Sequence, residues 1–163
     1  MVEDFTSYAQ ARQQQLYRTA YLLCGSQDRA QDLVQTTLVA LLRSWKRVRL
    51  AEHPDAYAKK ALVRAFLADR RKRWRETGAL PLAAGGHTAG SDPELRIVVF
   101  EALRALPPKP RAIVVLRYWE DLSVEETAAL MGCSTGNVKS QCSRSLAKLR
   151  SLLGERFADL VAS

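Results

Sequence analysis

Residues 123–150 read SVEETAALMGCSTGNVKSQCSRSLAKLR, and the rest of the chain is organised around this stretch. It spells two short helices joined by a tight turn. Ser123 is placed to cap a first helix, and Glu126, three residues on, completes a reciprocal capping box. Ala128 is small, as close helix packing requires. Gly132 stands where the chain must reverse, a position that glycine fills in a left-handed conformation without steric cost. Ser134 caps the second helix.

At about 3.6 residues per turn the second helix has two faces. Val138, Cys142, Leu146, Leu149 and Leu153 form an apolar stripe, and Asn137, Ser140, Gln141, Arg144 and Lys148 lie on the other side. From Ser134 to Arg150 there are four basic residues and no acidic one. Lys and Arg neutralise phosphate, while Asn, Gln and Arg bond base edges in the major groove. A solvated face of a bundle helix also carries charge, but the capped first helix, the glycine turn and the acid-free second helix together favour DNA.

The whole composition agrees. At 163 residues the chain makes one domain or two small ones, and its formal net charge of +8 with a pI near 9.8 favours a polyanionic partner. No run approaches the roughly 18 apolar residues of a membrane span, and MVEDFTSYAQARQQQ has neither the basic head nor the apolar core of a signal peptide. A cytoplasmic protein without membrane insertion is therefore expected. Cys24, Cys133 and Cys142 lack metal-ligand spacing and only His53 and His87 accompany them, so reduced structural thiols and no metal are expected. Neither a Gly-rich phosphate loop nor a nucleophile constellation nor a paired-carboxylate site is present, which argues against an enzyme and against a cofactor. Alternating strand patterns do not persist anywhere, so the fold class is all-α.

In chain order, Phe5, Tyr8, Arg12, Leu16, Ala20 and Leu23 outline a first amphipathic helix ending near Cys24, where Gly25 and Ser26 interrupt it. The segment from Asp28 to Val48 carries a core stripe of Ala30, Leu33, Val34, Thr37, Leu38, Leu41, Leu42 and Trp45. Its opposite face holds Asp32, Gln35, Thr36, Val39 and Arg43, and the exposed valine hints at a docking surface. After the connector RVRLAEH, Pro54 opens a third helix to about Arg75, with Tyr57, Ala61, Leu62, Ala65 and Phe66 inward and Lys60, Arg64 and Arg71 outward. Five of the six residues from Arg70 to Arg75 are basic, with Trp74 among them, a band suited to phosphate. GALPLAAGGHTAGS then reads as a flexible linker and domain boundary. Beyond it Ser91 or Asp92 caps a helix from Pro93, with Val98, Val99, Ala102, Leu103 and Leu106 as its core face. Pro107 and Pro108 stop that helix. Pro110 starts another, whose Ile113, Val114, Leu116 and Tyr118 or Trp119 pack under the helix-turn-helix.

Laid out in this way, the sequence resembles the extracytoplasmic-function group of bacterial sigma factors in the sigma-70 family, and within it a minimal, SigE-like actinobacterial type. LYRTAYLLCGSQDRAQDLVQTTLVALLRSW is similar to the region that docks on the β′ clamp helices of RNA polymerase. PDAYAKKALVRAFLADRRKRW resembles the segment serving the promoter's minus-ten element. LPPKPRAIVVLRYWEDLSVEETAALMGCSTGNVKSQCSRSLAKLR resembles the domain that reads the minus-thirty-five element. LuxR-type regulators share the generic helix-turn-helix but lack a DLVQ-type helix and the DRRKR helix end.

The resemblance implies two small helical domains, region 2 over residues 1–76 and region 4 over 92–163, joined by a linker over 77–91. It implies a sigma factor that binds core enzyme through β′ and β, engages promoter DNA and is open to restraint by an anti-sigma factor. A free-standing helix-turn-helix regulator is the alternative. Asn137, Lys139, Ser140, Gln141, Ser143 and Arg144 match positions facing the minus-thirty-five groove, with Lys148 beside them. Lys60, Arg64, Arg70, Arg71, Arg73 and Trp74 fall to the minus-ten element, and Asp32, Gln35, Thr36, Val39 and Arg43 to polymerase. The connector from Lys46 to Asp55 corresponds to the loop that captures a base flipped from the opened minus-ten strand. Arg64 stands where many members have Asn, Tyr57 where many have Trp, and Asn137 where Thr is commoner.

Overall fold

The computed structural model describes the backbone of residues 2–77 and 93–155, and the side chains of 4–69 and 99–155. Every regular element among the described residues is a helix, and the chain divides into two compact units, Met1–Leu82 and Ala83–Ser163. The expected linker from Thr77 to Ser91 lies outside the described residues apart from Thr77 itself, as do the proposed caps Ser91 and Asp92.

The first unit contains α1 (Val2–Cys24), α2 (Gln27–Arg43), α3 (Trp45–Arg49) and α4 (Pro54–Thr77). Gly25 takes φ +73° and lets α2 return against α1. α1, α2 and α4 pack pairwise, burying Leu16, Ala20 and Leu23 against Ala30, Leu33, Val34, Leu38 and Leu41, and against Leu62, Val63 and Phe66. Thr37 sits in this core because its hydroxyl donates to the carbonyl of Leu33 at 2.8 Å.

Three expectations for this unit need correction. The helix expected over Asp28–Val48 breaks at Ser44, whose ψ of 17° tips the chain and starts α3, so Lys46 to Arg49 of the expected connector are helical. The short α3 turns Trp45 and Val48 into the core. Leu42 is 47% exposed because, at about 100° per residue, it falls outside the arc ended by Leu38 and beside Gln35 and Val39. Tyr57 is likewise exposed, at 41%; the inner face of α4 is centred on Ala58, Leu62, Val63 and Phe66, which leaves Tyr57 on the side of Lys60 and Arg64.

The second unit contains α5 (Pro93–Arg104), α6 (Pro108–Val114), α7 (Val124–Met131) and α8 (Thr135–Leu153). Packed around α8, its core gathers Ala102, Leu103, Leu106, Ile113, Leu116, Ala128, Val138 and Leu149. The side chain of Val98 lies outside the described residues. Pro108, and not Pro110, opens α6, with Pro107 as its cap. First-turn N–H groups have no intrahelical partner, so both prolines are tolerated there. Tyr118 and Trp119, expected under the helix-turn-helix, are 50% and 59% exposed. Residues Val115–Trp119 form a wide π turn, in which the N–H of Glu120 reaches back to the carbonyl of Val115 at 3.0 Å. Burial stops at Leu116, and the two rings beyond it face solvent. On α8 Leu146 is only partly buried, and Ser145 occupies the middle of the stripe instead.

Candidate nucleic-acid interface

The helix-turn-helix is built by local chemistry. The Ser123 hydroxyl accepts from the N–H of Glu126 at 3.0 Å, and the Glu126 carboxylate accepts from the N–H of Ser123 at 3.0 Å, so two otherwise unpaired donors are satisfied reciprocally. Gly132 closes α7 at φ +67°, ψ 38°, and the N–H of Cys133 returns to the carbonyl of Ala128 at 3.1 Å. The Ser134 hydroxyl then accepts from the N–H of Asn137 at 3.0 Å and opens α8.

Behind the turn Ile113, Ala128, Val138 and Cys142 make one buried cluster, with Val124, Met131 and Cys133 packed against it. Burial pushes the Cys142 thiol up from its ordinary pKa, against the pull of the Arg117 guanidinium, so it packs as a neutral apolar group. Arg117 also donates to the carbonyl of Leu122, tying the π turn to the start of the helix-turn-helix.

The outer face of α8 is open. Asn137, Lys139, Ser140, Ser143, Arg144 and Lys148 are exposed and Gln141 is half-buried. Arg144 folds back only loosely on the carbonyl of Ser140, at 3.4 Å from Nε, so its guanidinium is available to a ligand. Lys148 differs: its Nζ donates to the carbonyl of Ala105 at 2.9 Å. Thr135 and Gly136, absent from the expected set, are exposed at the helix start, where free backbone N–H groups suit phosphate. The capping serine was the signal that would have pointed to them.

In the first unit, Lys60 is half-buried and Arg64 exposed on one side of α4, and exposed Tyr57 joins them. Arg70, Arg71, Arg73 and Trp74 lie on the same helix, but their side chains are outside the described residues. Asp32, Gln35, Thr36, Val39 and Arg43 are all exposed on α2. Leu42, which periodicity assigned to the core, joins Gln35 and exposed Val39 there, giving an apolar pair rimmed by polar groups. Among the described residues no cluster of His, Cys, Asp or Glu is suited to a metal ion, and no helix is long and apolar enough to cross a membrane.

A capped helix-turn-helix whose second helix has an acid-free outer face is the architecture of a DNA-binding transcription factor. The chain belongs to the sigma-70 family of RNA polymerase sigma factors, in its extracytoplasmic-function branch: residues 8–76 match sigma-70 region 2 and residues 96–149 match sigma-70, region 4. It is 37% identical over 161 residues to the RNA polymerase sigma-E factor of Streptomyces avermitilis, covering 97% of this chain and 89% of that protein. The extracytoplasmic-function sigma factor SigM of Mycobacterium tuberculosis is 32% identical over 142 residues, covering 86% and 72%. Among solved structures, the sigma factor RpoE in complex with the anti-sigma factor NepR, from Bartonella quintana, superposes with a TM-score of 0.80 at 29% identity, covering 94% of this chain and 98% of that one. The protein is a sigma factor of the sigma-E-like kind that directs promoter recognition, and its family is non-catalytic.

Proposed function

We propose that region 2, over residues 1–76, binds core RNA polymerase and the minus-ten element, and that region 4, over residues 92–163, reads the minus-thirty-five element, with 77–91 as the tether. Supporting this above all is the open outer face of α8, which carries hydrogen-bonding and basic side chains and no acid. Asn137, Lys139, Ser140, Gln141, Ser143 and Arg144 face the groove, Lys139 reaching the phosphates along its edge. Lys148, with one N–H on Ala105 and two to spare, meets phosphate. Lys60, Arg64, Arg70, Arg71, Arg73 and Trp74 meet the minus-ten strand, joined by Tyr57. Asp32, Gln35, Thr36, Val39 and Arg43, with Leu42, dock on the β′ clamp helices, and region 4 contacts β.

The protein acts in the cytoplasm. It is restrained there by an anti-sigma protein, a reading supported by the RpoE structure solved with NepR. Neither domain alone offers many base contacts, and joining both on polymerase raises their effective concentration at one promoter. The test is run-off transcription from a genomic fragment library with purified core enzyme. Starts clustered behind a shared two-part motif are expected. Promoter-independent background, or a protein that elutes apart from core in gel filtration, would instead fit a free-standing regulator.

A further inference from the structure

The connector between α3 and α4 is tied down at both ends by the first turns of α1, a part of the chain that carries none of the promoter-facing residues. On the upstream side Trp45 is buried against two α1 rings: Phe5 meets it edge-on at 5.4 Å between centroids and 78°, and Tyr8 lies tilted at 5.4 Å and 48°. The Trp45 indole N–H makes no hydrogen bond among the described residues, so ring packing alone holds it. On the downstream side the Tyr8 hydroxyl donates to Asp55 Oδ1, in the first turn of α4, at 2.8 Å, and Arg12 Nε approaches the same oxygen at 3.1 Å. A third tie joins Arg49, the last residue of α3, to Asp4 at 3.7 Å.

Between these ties the chain is open, with Leu50, Glu52 and His53 exposed, Leu50 at 80%. Tyr8 touches both ends of the connector, by its ring at Trp45 and by its hydroxyl at Asp55. The two ion pairs are solvent-exposed and add little by themselves. The Tyr8 bond is different, being half-buried and made to a carboxylate. Burial, reinforced by that bond, raises the pKa of Tyr8, so its hydroxyl stays protonated and remains a donor at physiological pH.

We propose that Tyr8, supported by Arg12, is a positioning residue for the connector, fixing the separation of its ends so that its exposed tip meets an unpaired minus-ten base in one conformation. A short loop with fixed ends has few conformations, so little ordering remains for the moment of binding. The inference rests on the reading that the connector captures such a base.

The experiment uses the full chain with core polymerase and fork-junction DNAs whose unpaired minus-ten strand carries each of the four bases in turn. Base preference, a ratio within one protein, cancels any uniform loss from lower stability. Tyr8→Phe removes only the hydroxyl and Asp55→Ala removes its acceptor. Both should lower the preference at the captured position by about tenfold, the smaller effect expected of a hydrogen bond to a charged group, with core binding unchanged for Tyr8→Phe. Asp55→Asn keeps an acceptor and should restore most of it. A variant with Leu50, Glu52 and His53 all changed to Ala reports on the underlying reading. Should the parent show no preference, or this tip variant keep it, base capture fails and the proposal with it. Should the tip variant lose preference while Tyr8→Phe and Asp55→Ala retain it, the proposal alone is overturned.

Discussion

Arg111 is wholly buried, and its Nε donates to the carbonyl of Leu103 at 2.8 Å. Its Nη2 donates to Leu106 at 2.9 Å and reaches Arg104 at 3.5 Å. Lys148 takes the carbonyl between them, that of Ala105. Four consecutive carbonyls at and just beyond the end of α5 thus bind one side chain from α6 and one from α8, and that of Leu103 also accepts from the N–H of Leu106 at 3.1 Å. Replacing Arg111 with Lys discards the fork that serves several acceptors at once. Urea unfolding of the protein should show the region 4 transition destabilised by about 1–3 kcal/mol, the cost of buried acceptors left unpaired. An unshifted midpoint would show that Arg111 is dispensable for this junction.

Gly132 isolates a backbone effect. A Cβ added there would meet nothing within 4 Å, so only the left-handed conformation at φ +67° resists a side chain. Gly132→Ala should cost about 1–2 kcal/mol. Gly132→Asn should cost less, because Asn visits that region more readily. Equal losses for the two, measured by thermal denaturation, would point to packing and not to backbone strain.

Val39 and Leu42 are about half exposed and share a face of α2. On the proposed reading they serve docking, and half exposed they add little to the core. Val39→Asp and Leu42→Asp should each weaken association with core polymerase by about tenfold or more, in the range of buried interface anchors, with the melting temperature of the free protein unchanged. A competition assay for core enzyme reads the first quantity. Normal affinity in both variants would remove this strip from the polymerase contact.

These two residues also mark how far hydrophobic periodicity reaches. It identifies α2 and places Val39 outside, because the polar neighbours Gln35, Thr36 and Arg43 mark that face. It puts Leu42 inside, since an apolar side chain at the edge of a stripe carries no mark of its own. The caps and glycine of the helix-turn-helix are legible in the sequence, as they are local devices written in adjacent residues, whereas the buried Ser145 in place of Leu146 is not. Tyr57, Tyr118 and Trp119 are misplaced by periodicity for a different reason: a wide turn or a small shift in helix phase redirects a ring, and neither leaves a pattern in the sequence. The ties from Tyr8 and Arg12 to Asp55 span more than forty residues and are visible only once the chain is folded.

The cysteines differ in access and ionisation. Cys24 and Cys142 are buried and Cys133 is half-buried. Thiolate is the reactive form, and burial raises the Cys142 pKa, so less thiolate is present at a given pH. Iodoacetamide should modify Cys133 first in the native protein, with Cys142 reacting only after denaturant is added, as followed by mass spectrometry. The same shift makes the neutral thiol part of the stability of region 4. That contribution is complete below the ordinary thiol pKa and is lost as pH climbs through the raised folded value. Cys142→Ala should therefore unfold with a shallower alkaline dependence than the parent.

Arg144 and Lys139 separate the two ways in which a basic side chain serves a reader helix. Both are exposed on α8, and Arg144 has only a long internal contact to the carbonyl of Ser140. A guanidinium gripping a base edge discriminates among bases, whereas an ammonium on phosphate adds affinity without sequence information. Arg144→Ala should lower discrimination between the cognate minus-thirty-five element and point variants by about 1–3 kcal/mol at the position it reads. Lys139→Ala should weaken all sequences alike and reduce the slope of log affinity against log salt by about one. Lys148→Ala combines a phosphate contact with release of Ala105, so it should show the reduced slope together with a lower melting temperature. Fluorescence-anisotropy titrations of polymerase holoenzyme on labelled promoter fragments, at several salt concentrations, give both quantities from one series. If Arg144→Ala changes the salt slope and leaves discrimination intact, the guanidinium belongs on the backbone, and base reading passes to Asn137 and Gln141.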